Sequence, residues 1–332
     1  MDSPIFEPPA RGREARFGPA FGTRVLLTID AEEEFDWRAP FSRTAYSLTH
    51  VPRIAHFQQF CEGLGVAPVY LVDWPIATSP EAVAIIGSAV RAGRAEVGMQ
   101  LHPWVNPPFD EDLSAQNSYP GNLPRDLERS KFLRLHERVV TAFGTAPLIY
   151  RAGRYGLGPD SADLLRESGV PIDSSVRTHF DYRDSQGPDY SRHPLAPYWV
   201  DEGRTLLELP VTSVYWGMLR RQGRWIHPLL TRMPRAAGVA ARCGLLERIA
   251  LTPEGVTAEE ALRGIDMALD DGLPLLVLSF HSPSLAPGHT PYIRTEADLD
   301  RLYDWFRRIY MYLEMRAVRP TTISEVMASV ER

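Results

Sequence analysis

The sequence predicts an α/β protein, a parallel sheet or barrel built from about seven strand–helix units. Three observations carry this expectation. Short apolar runs alternate with stretches of helical periodicity along nearly the whole chain. Five of those runs end in a polar residue suited to hydrolytic chemistry: VLLTID at Asp30, EVGMQLH at His102, PLIYR at Arg151, GVPID at Asp173 and LLVLSFH at His281. Barrels of strand–helix repeats place their active sites at the C-terminal strand ends, and five acids, bases or cations there are hard to assign to packing alone. The length, 332 residues, suits one large domain with insertions.

Taken in order, residues 1–22 are rich in Pro, Gly and Arg and read as a loose arm. Residues 23–332 read as the barrel domain. RVLLTID is a buried strand; VPRIAHFQQFCEGLG has helical spacing and stops at glycine. APVYLVD is a second strand. SPEAVAIIGSAVRAG carries a serine cap, a first-turn proline and a closing glycine. AEVGMQL, a third strand, leads into PWVNPPFDEDLSAQNSYPGNLP, an aromatic, proline-rich loop of the length that usually serves function. The helix LPRDLERSKFLRLHERVVTAFG follows. PLIYR, VPIDSS and TLLELPV are strands, with the helix SADLLRESG between the first two. TAEEALRGIDMALDDG is a helix before the strand PLLVLSF, and the last long helix begins near Thr295. Residues 215–250 break the alternation and read as an insertion of one or two basic helices: a solvated flap, a lid, or a contact to an anionic surface.

Composition narrows the function. A net charge of −6 gives no support to nucleic-acid binding. Cys61 and Cys243 form neither a disulfide framework nor a zinc site. No apolar run approaches the roughly 20 residues that span a bilayer, and the N-terminal residues lack the pattern of a secretory signal, so the expected setting is the cytoplasm. Lys131 is the only lysine, as a GC-rich genome would produce.

Chemistry concentrates at the strand ends. In TIDAEEEFDW, Asp30 enters the barrel mouth and Glu32, two residues on, faces it too, whereas Glu33, Glu34 and Asp36 are expected to face solvent. A solvated acidic loop is the plainer alternative. His102 ends a strand and opens the aromatic loop, with Gln100 before it and Asn106 four residues after it. Trp37, Trp104 and Tyr155 are the candidate sugar contacts, and Phe109 is a further ring for such a platform. Arg151 beside carboxylates orients one of them, and the glycines around Arg154 and Tyr155 permit close backbone approach. Asp173 and His281 together suit an imidazole held in one tautomer.

These motifs, in this order, resemble the polysaccharide deacetylase family, also called the NodB-homology or carbohydrate esterase family 4 group. EVGMQLHPWVNPPF, NSYPGNLP, IYRAGRYG and LSFHSPSLAPGHTPY resemble its WalW-like branch, and the likeness runs from about residue 22 to 330. The resemblance implies a distorted (β/α)7 barrel with a divalent metal at its mouth, zinc first, with cobalt, nickel or manganese as alternatives. It implies that Asp30 is the catalytic base, Arg151 its orienting partner, and Asp173 and His281 the pair presenting the general acid. Glu32, His102 and Asn106 stand at the metal positions. Two departures stand out: the family's adjacent Asp-Asp is Asp30-Ala31-Glu32, and its second metal histidine is Asn106, a poorer ligand for zinc.

The resulting expectation is metal-assisted removal of an N-acetyl or other acyl group from an amino sugar of a polysaccharide or glycan precursor. A metal-free C–N hydrolase on the same barrel, a non-catalytic glycan-binding protein and, with a poorer fit to Arg151 and His281, a glycoside hydrolase are the alternatives. The partner expected is a carbohydrate; no nucleic acid and no transmembrane segment are expected.

Overall fold

Each of the seven predicted apolar runs forms a strand in the computed structural model, which describes residues 4–36, 39–233 and 235–332. In chain order the elements are β1 (Arg24–Ala31), α1 (Val51–Gly63), β2 (Val69–Val72), α2 (Trp74–Thr78), α3 (Pro80–Arg91), β3 (Glu96–Leu101), α4 (Arg125–Phe143), β4 (Ile149–Ala152), α5 (Ser161–Ser168), β5 (Ile172–Asp173), β6 (Tyr198–Trp199) and β7 (Leu207–Glu208). Then come β8 (Ser213–Trp216), α6 (Gly223–Thr231), α7 (Ala236–Arg242), β9 (Glu247–Ala250), α8 (Ala258–Asp270), β10 (Leu275–His281), α9 (Glu296–Met315), β11 (Arg319–Pro320) and α10 (Ile323–Ser329). The helix starts follow local chemistry. Ser79 caps α3 ahead of Pro80, and Thr257 and Thr295 form capping boxes with Glu260 and Asp298.

The main sheet has the order β10-β1-β2-β3-β4-β5-β7-β6, with β11 added beside β1. All its pairings are parallel except β6 with β7. The sheet curls into a distorted barrel. Its seam, between β7 and β10, is closed by irregular bonds: Thr212 N–H donates to Val277 O at 3.1 Å, and Val277 N–H donates to Thr212 Oγ1 at 2.8 Å. Leu251 continues the seam, donating to Thr212 O and accepting from Ser279 N–H. The insertion grows out of this seam. Its root is an antiparallel ribbon, β8 with β9, and α6 and α7 form its tip, so the expected basic helices are present but stand on two strands.

Alternation along the strands sorts the side chains. On β1, Val25, Leu27 and Ile29 pack under the helices, while Leu26 joins Val69, Leu71, Ile149, Ile172, Leu207, Leu275 and Val277 in the lumen. Thr28 and Asp30 continue the lumen face of β1, as Ser279 and His281 do on β10. The middle of the lumen is tight: a Cβ at Gly98 would lie 2.6 Å from both Leu71 and Ile149. β1 is buried along its whole length, which is why it reads as an unbroken apolar run ending in an acid.

The N-terminal segment corrects the expectation of a loose arm. Ile5, Ala15 and Phe21 are buried. Ala15 N–H donates to Pro197 O, Trp199 N–H to Arg13 O, and Gly18 N–H to Ser329 O, so the segment ties the edge strand β6 to the end of α10. Proline and glycine here shape an irregular path that side chains and backbone still anchor.

The long loop 103–124 is held by the sole lysine. Lys131, on α4, is fully buried and donates to Pro103 O at 2.9 Å, Asn106 O at 2.7 Å and Pro108 O, while pairing with Glu111 at 2.9 Å. A compact ammonium fits such converging carbonyls where a flat guanidinium does not. Replacing Lys131 with Met strands the buried Glu111 carboxylate. Denaturant unfolding is expected to show a loss of roughly 3–5 kcal/mol for Lys131→Met, with little recovered in Lys131→Arg; a change under about 1 kcal/mol would contradict this anchoring role.

Candidate active site in the barrel mouth

Asp30 projects from the end of β1 into the mouth, where three strand-end side chains meet it. Arg151, from β4, donates Nη1 to Asp30 Oδ1. Gln100, from β3, donates to Asp30 Oδ2 at 3.2 Å, and His281 Nε2, from β10, lies 3.7 Å from the same oxygen. Arg151 itself is buried and completely satisfied. Its Nε donates to Ser174 O at 2.8 Å, the rest of Nη1 to Ser279 Oγ at 2.7 Å, and Nη2 to Thr28 Oγ1 and Ser174 Oγ at 3.0 and 3.1 Å. All five N–H donors are used, which is what makes a buried guanidinium tolerable.

The two histidines of the mouth are each fixed by a carboxylate. His281 Nδ1 lies 2.6 Å from Glu254 Oε2, and His281 N–H donates to Glu254 Oε1 at 3.2 Å. Burial alone opposes charge on this imidazole, but Glu254, Glu32 and Asp30 outweigh it and lift the pKa to about 10. His102 Nδ1 lies 3.0 Å from Glu33 Oε2, and its Nε2 points to Glu32 at 3.5 Å. Its ring stacks on Trp104, 4.3 Å between centroids, and Trp104 Nε1 donates to the other Glu33 oxygen at 2.7 Å. Gly153 makes room for this ring: a Cβ there would come within 2.7 Å of His102 Cδ2. Arg154 and Tyr155, just after it, both have positive φ, 55° and 61°, a costly backbone of the kind found around functional sites.

Glu33, Asp73 and His102 form a group able to hold a metal ion, with one ligand atom from each within 4.8 Å of the others. Burial raises the pKa of the Glu33 and Asp73 carboxyls, Asp73 strongly and with help from Glu33, and burial pushes Glu32 up to about 8. A buried set of carboxyls with an imidazole attracts either protons or a cation, and oxygen with nitrogen donors suits zinc and its first-row neighbours. Part of the set is already engaged: Asp73 accepts from Glu33 N–H at 2.9 Å and from Ile76 N–H at 2.8 Å as the cap of α2. Glu32 and His102 Nε2 face the open cleft.

The cleft has a volume of about 500 Å³, with Asp30, Glu32, Gln100, His102 and His281 at one end and Phe41, Tyr119, Tyr155 and Tyr182 along its walls. A larger groove of about 830 Å³ runs outside it, past Glu34 and His289, but Glu34 is already held by Ser47, Thr49 and His50. His50 passes this order inward: its Nε2 lies 2.8 Å from Ser282 Oγ, which accepts from Glu32 N–H at 3.3 Å.

Several expectations need correction. Asp173 does not pair with His281. Ile172 faces the lumen with the other inward residues, so its neighbour Asp173 faces the opposite side of the sheet, bonded to Ser175 and beside Glu208. Glu254 takes the role expected of it. Asn106 is held by its nitrogen, with Nδ2 donating to Pro107 O and Lys131 O at 2.8 and 3.0 Å, and its Oδ1 is buried with no hydrogen-bond partner among the described residues. Glu33 and Glu34 are buried, whereas Asp36 is exposed as expected. Trp104 is largely buried against His102 and also lines the cleft; Phe109 lies apart, under Arg43 and Lys131. Tyr155 does line the cleft. Trp37 lies outside the described residues. Asp73 ends the strand run APVYLVD and was legible by the same rule as the five chosen residues; Glu254, on a loop after the ribbon, carried no signal.

No family model matches the chain, and no curated protein matches it. Among solved structures it is similar to a candidate polysaccharide deacetylase from Mycobacterium smegmatis, at 19% identity over 97% of this chain and 98% of that one, with a TM-score of 0.48. A family 4 acetyl xylan esterase from Clostridium thermocellum, in complex with a cobalt ion, matches at 14% identity over 92% and 91%, with a TM-score of 0.41. A family 4 pseudoenzyme from Bacillus anthracis matches at 10% identity over 92% and 65%, also with a TM-score of 0.41. Carbohydrate esterase family 4 proteins stand among the structural neighbours, and so does a 4-alpha-glucanotransferase from Thermococcus litoralis, at 13% identity over 92% of this chain and 38% of that one, with a TM-score of 0.46. They include an enzyme and a pseudoenzyme, so chemistry has to be read from this chain's own residues. Among the described residues no helix is long and apolar enough to cross a membrane.

The charge on His281 depends on Glu254. The folded state holds a proton that the unfolded chain, with an ordinary histidine, releases earlier. Its stabilisation is therefore complete below the ordinary histidine range and vanishes as pH rises through about 10. In metal-free protein, a magnetic-resonance titration of His281 should give a midpoint near 10, and Glu254→Gln should bring it well below; an unmoved midpoint would remove Glu254 from this role.

Proposed function

We propose that the chain is a metal-assisted hydrolase that removes an acyl group, acetyl in the first place, from the nitrogen of an amino sugar in a polysaccharide or glycan precursor. The observation that carries this is the opposition of Asp30, held by Arg151, and a protonated His281, 3.7 Å apart at the end of one cleft. A general base and a general acid that share a reacting centre are what amide hydrolysis needs. Asp30 Oδ2 takes the proton of the attacking water, and Arg151 keeps that carboxylate fixed and in line. As the C–N bond breaks, His281 Nε2 gives its proton to the departing amine, and Glu254 stabilises the imidazolium until then. The products are a free carboxylic acid and the amino sugar. Glu32 and His102, backed by Glu33 and Asp73, are the residues that would hold a divalent ion. Such an ion supplies Lewis acidity toward the acyl carbonyl when bound. The placement in the WalW-like branch, from the motifs of the sequence, and a cytoplasmic setting belong to the same proposal.

A metal-free C–N hydrolase is the second reading. It is favoured by the hydrogen bonds that Glu33 and Asp73 already make to Trp104, to the backbone of α2 and to each other's segment. Two measurements test these readings. Acetate release from N-acetylated amino sugars and their oligomers should fall by about 10²–10⁴ in Asp30→Asn; full activity in that variant would refute the base assignment. Metal content after loading with zinc, cobalt, nickel or manganese should approach one ion per chain and drop in His102→Ala; turnover without bound metal would select the second reading.

A further inference from the structure

The lining of the cleft includes two guanidinium groups that the acyl-transfer chemistry does not use. Arg177 and Arg154 both line it, and among the described residues neither has a carboxylate partner. The contrast with Arg151 is instructive. Arg151 uses all five donors, whereas the hydrogen bond Arg177 makes is from Nη1 to Tyr182 Oη at 3.3 Å, and its Nε is buried with no partner. Arg177 instead lies over aromatic faces, 4.0 Å from the Phe180 centroid and 5.3 Å from that of Tyr155. Arg248 also lies over Phe180, 3.5 Å from its centroid, so two like charges share one ring. Arg154 donates to Ser118 Oγ and Ala115 O, both neutral, and lies 4.2 Å from the Tyr119 centroid.

A partly buried guanidinium with idle donors and no counter-charge is unfavourable unless an anion completes it. Aromatic faces and hydroxyl contacts hold both side chains, and both backbones are anchored. Arg177 is bridged to Val211 at the barrel seam, and Arg154 sits on the positive-φ turn after β4. Tyr155, stacked on Tyr182 and covered by Arg177, lines the same cleft as Asp30 and His281. A molecule bridging the two ends presents an acyl-amine to Asp30 and His281 and a negative group to the arginines.

We propose that Arg177 and Arg154 form an anion subsite, and that the natural substrate carries a phosphate or a carboxylate beside its acylated amino sugar. The proposal rests on the hydrolase reading for the identity of the sugar, but its test is a binding measurement that requires no turnover. N-acetylglucosamine 1-phosphate, N-acetylmuramic acid and neutral N-acetylglucosamine are titrated into wild-type protein and Asp30→Asn, followed by calorimetry or ligand-observed magnetic resonance. At least one anionic sugar is expected to bind roughly 10-fold or more tightly than the neutral one, the tighter of the two naming phosphate or carboxylate. Arg177→Gln is expected to erase this advantage while leaving the neutral sugar unchanged, and Arg177→Lys to restore part of it, since charge returns without the fork. Arg154→Gln, a more exposed change, gives a second reading of the same wall. Equal affinity for charged and neutral sugars, or an advantage that survives both glutamine variants, overturns the subsite. Selective anion binding without acyl release by wild type would uphold the subsite and defeat the hydrolase reading. Acyl release at equal rates from charged and neutral sugars would do the reverse.

Discussion

The guanidinium of Arg151 is the point on which the mouth of the barrel is built. Its five N–H groups reach Thr28 and Asp30 on β1, Ser279 on β10 and Ser174 just past β5, from a base on β4. Thr28 and Ser174 in turn donate to Leu278 O and Leu209 O, so the network extends into the backbone of the seam. A buried cation of this kind is costly until every donor is met, and meeting them fixes the relative height of four separate strands. The lumen beneath it is apolar and the cleft above it is polar. Arg151 marks the boundary and aims Asp30 across it.

Above that boundary the same device is used twice. Each imidazole has one nitrogen tied to a glutamate and the other turned inward, His281 through Glu254 and His102 through Glu33. The surroundings then give them different work. His281 sits among acids in a half-open position and stays protonated, while His102 is packed flat on Trp104 beside raised carboxyls. Chemically similar pairs become a candidate proton donor and a candidate ligand through what lies behind them.

The sequence made the strands legible because the central ones are buried on both faces and read as unbroken apolar runs. It made Asp30, Arg151 and His281 legible because each ends such a run. Face was harder to read than position. β5 makes a ladder of only two residues, and GVPID does not reveal that Ile172, and not Asp173, looks into the lumen. Asn106 follows His102 through a single turn, with its N–H bonded to His102 O, and carbonyls of the loop and of α4 take up its side-chain nitrogen. Glu254 reaches His281 only because the ribbon of the insertion folds back onto the seam, a long-range event with no local signature. Glu33 and Asp73 become a pair only when β1 and β2 are side by side.

The lone lysine has a practical consequence. A chain with 36 basic residues, 35 of them arginine, holds its single side-chain amine sealed beneath the loop that walls the cleft. Amine-directed reagents therefore find no lysine to modify in the folded protein, and a lysine-specific protease has one bond to cut, inside α4. Either reaction becomes possible only when α4 and the loop above it part. Lysine modification or cleavage at this one position thus reports the opening of the wall that shapes the cleft.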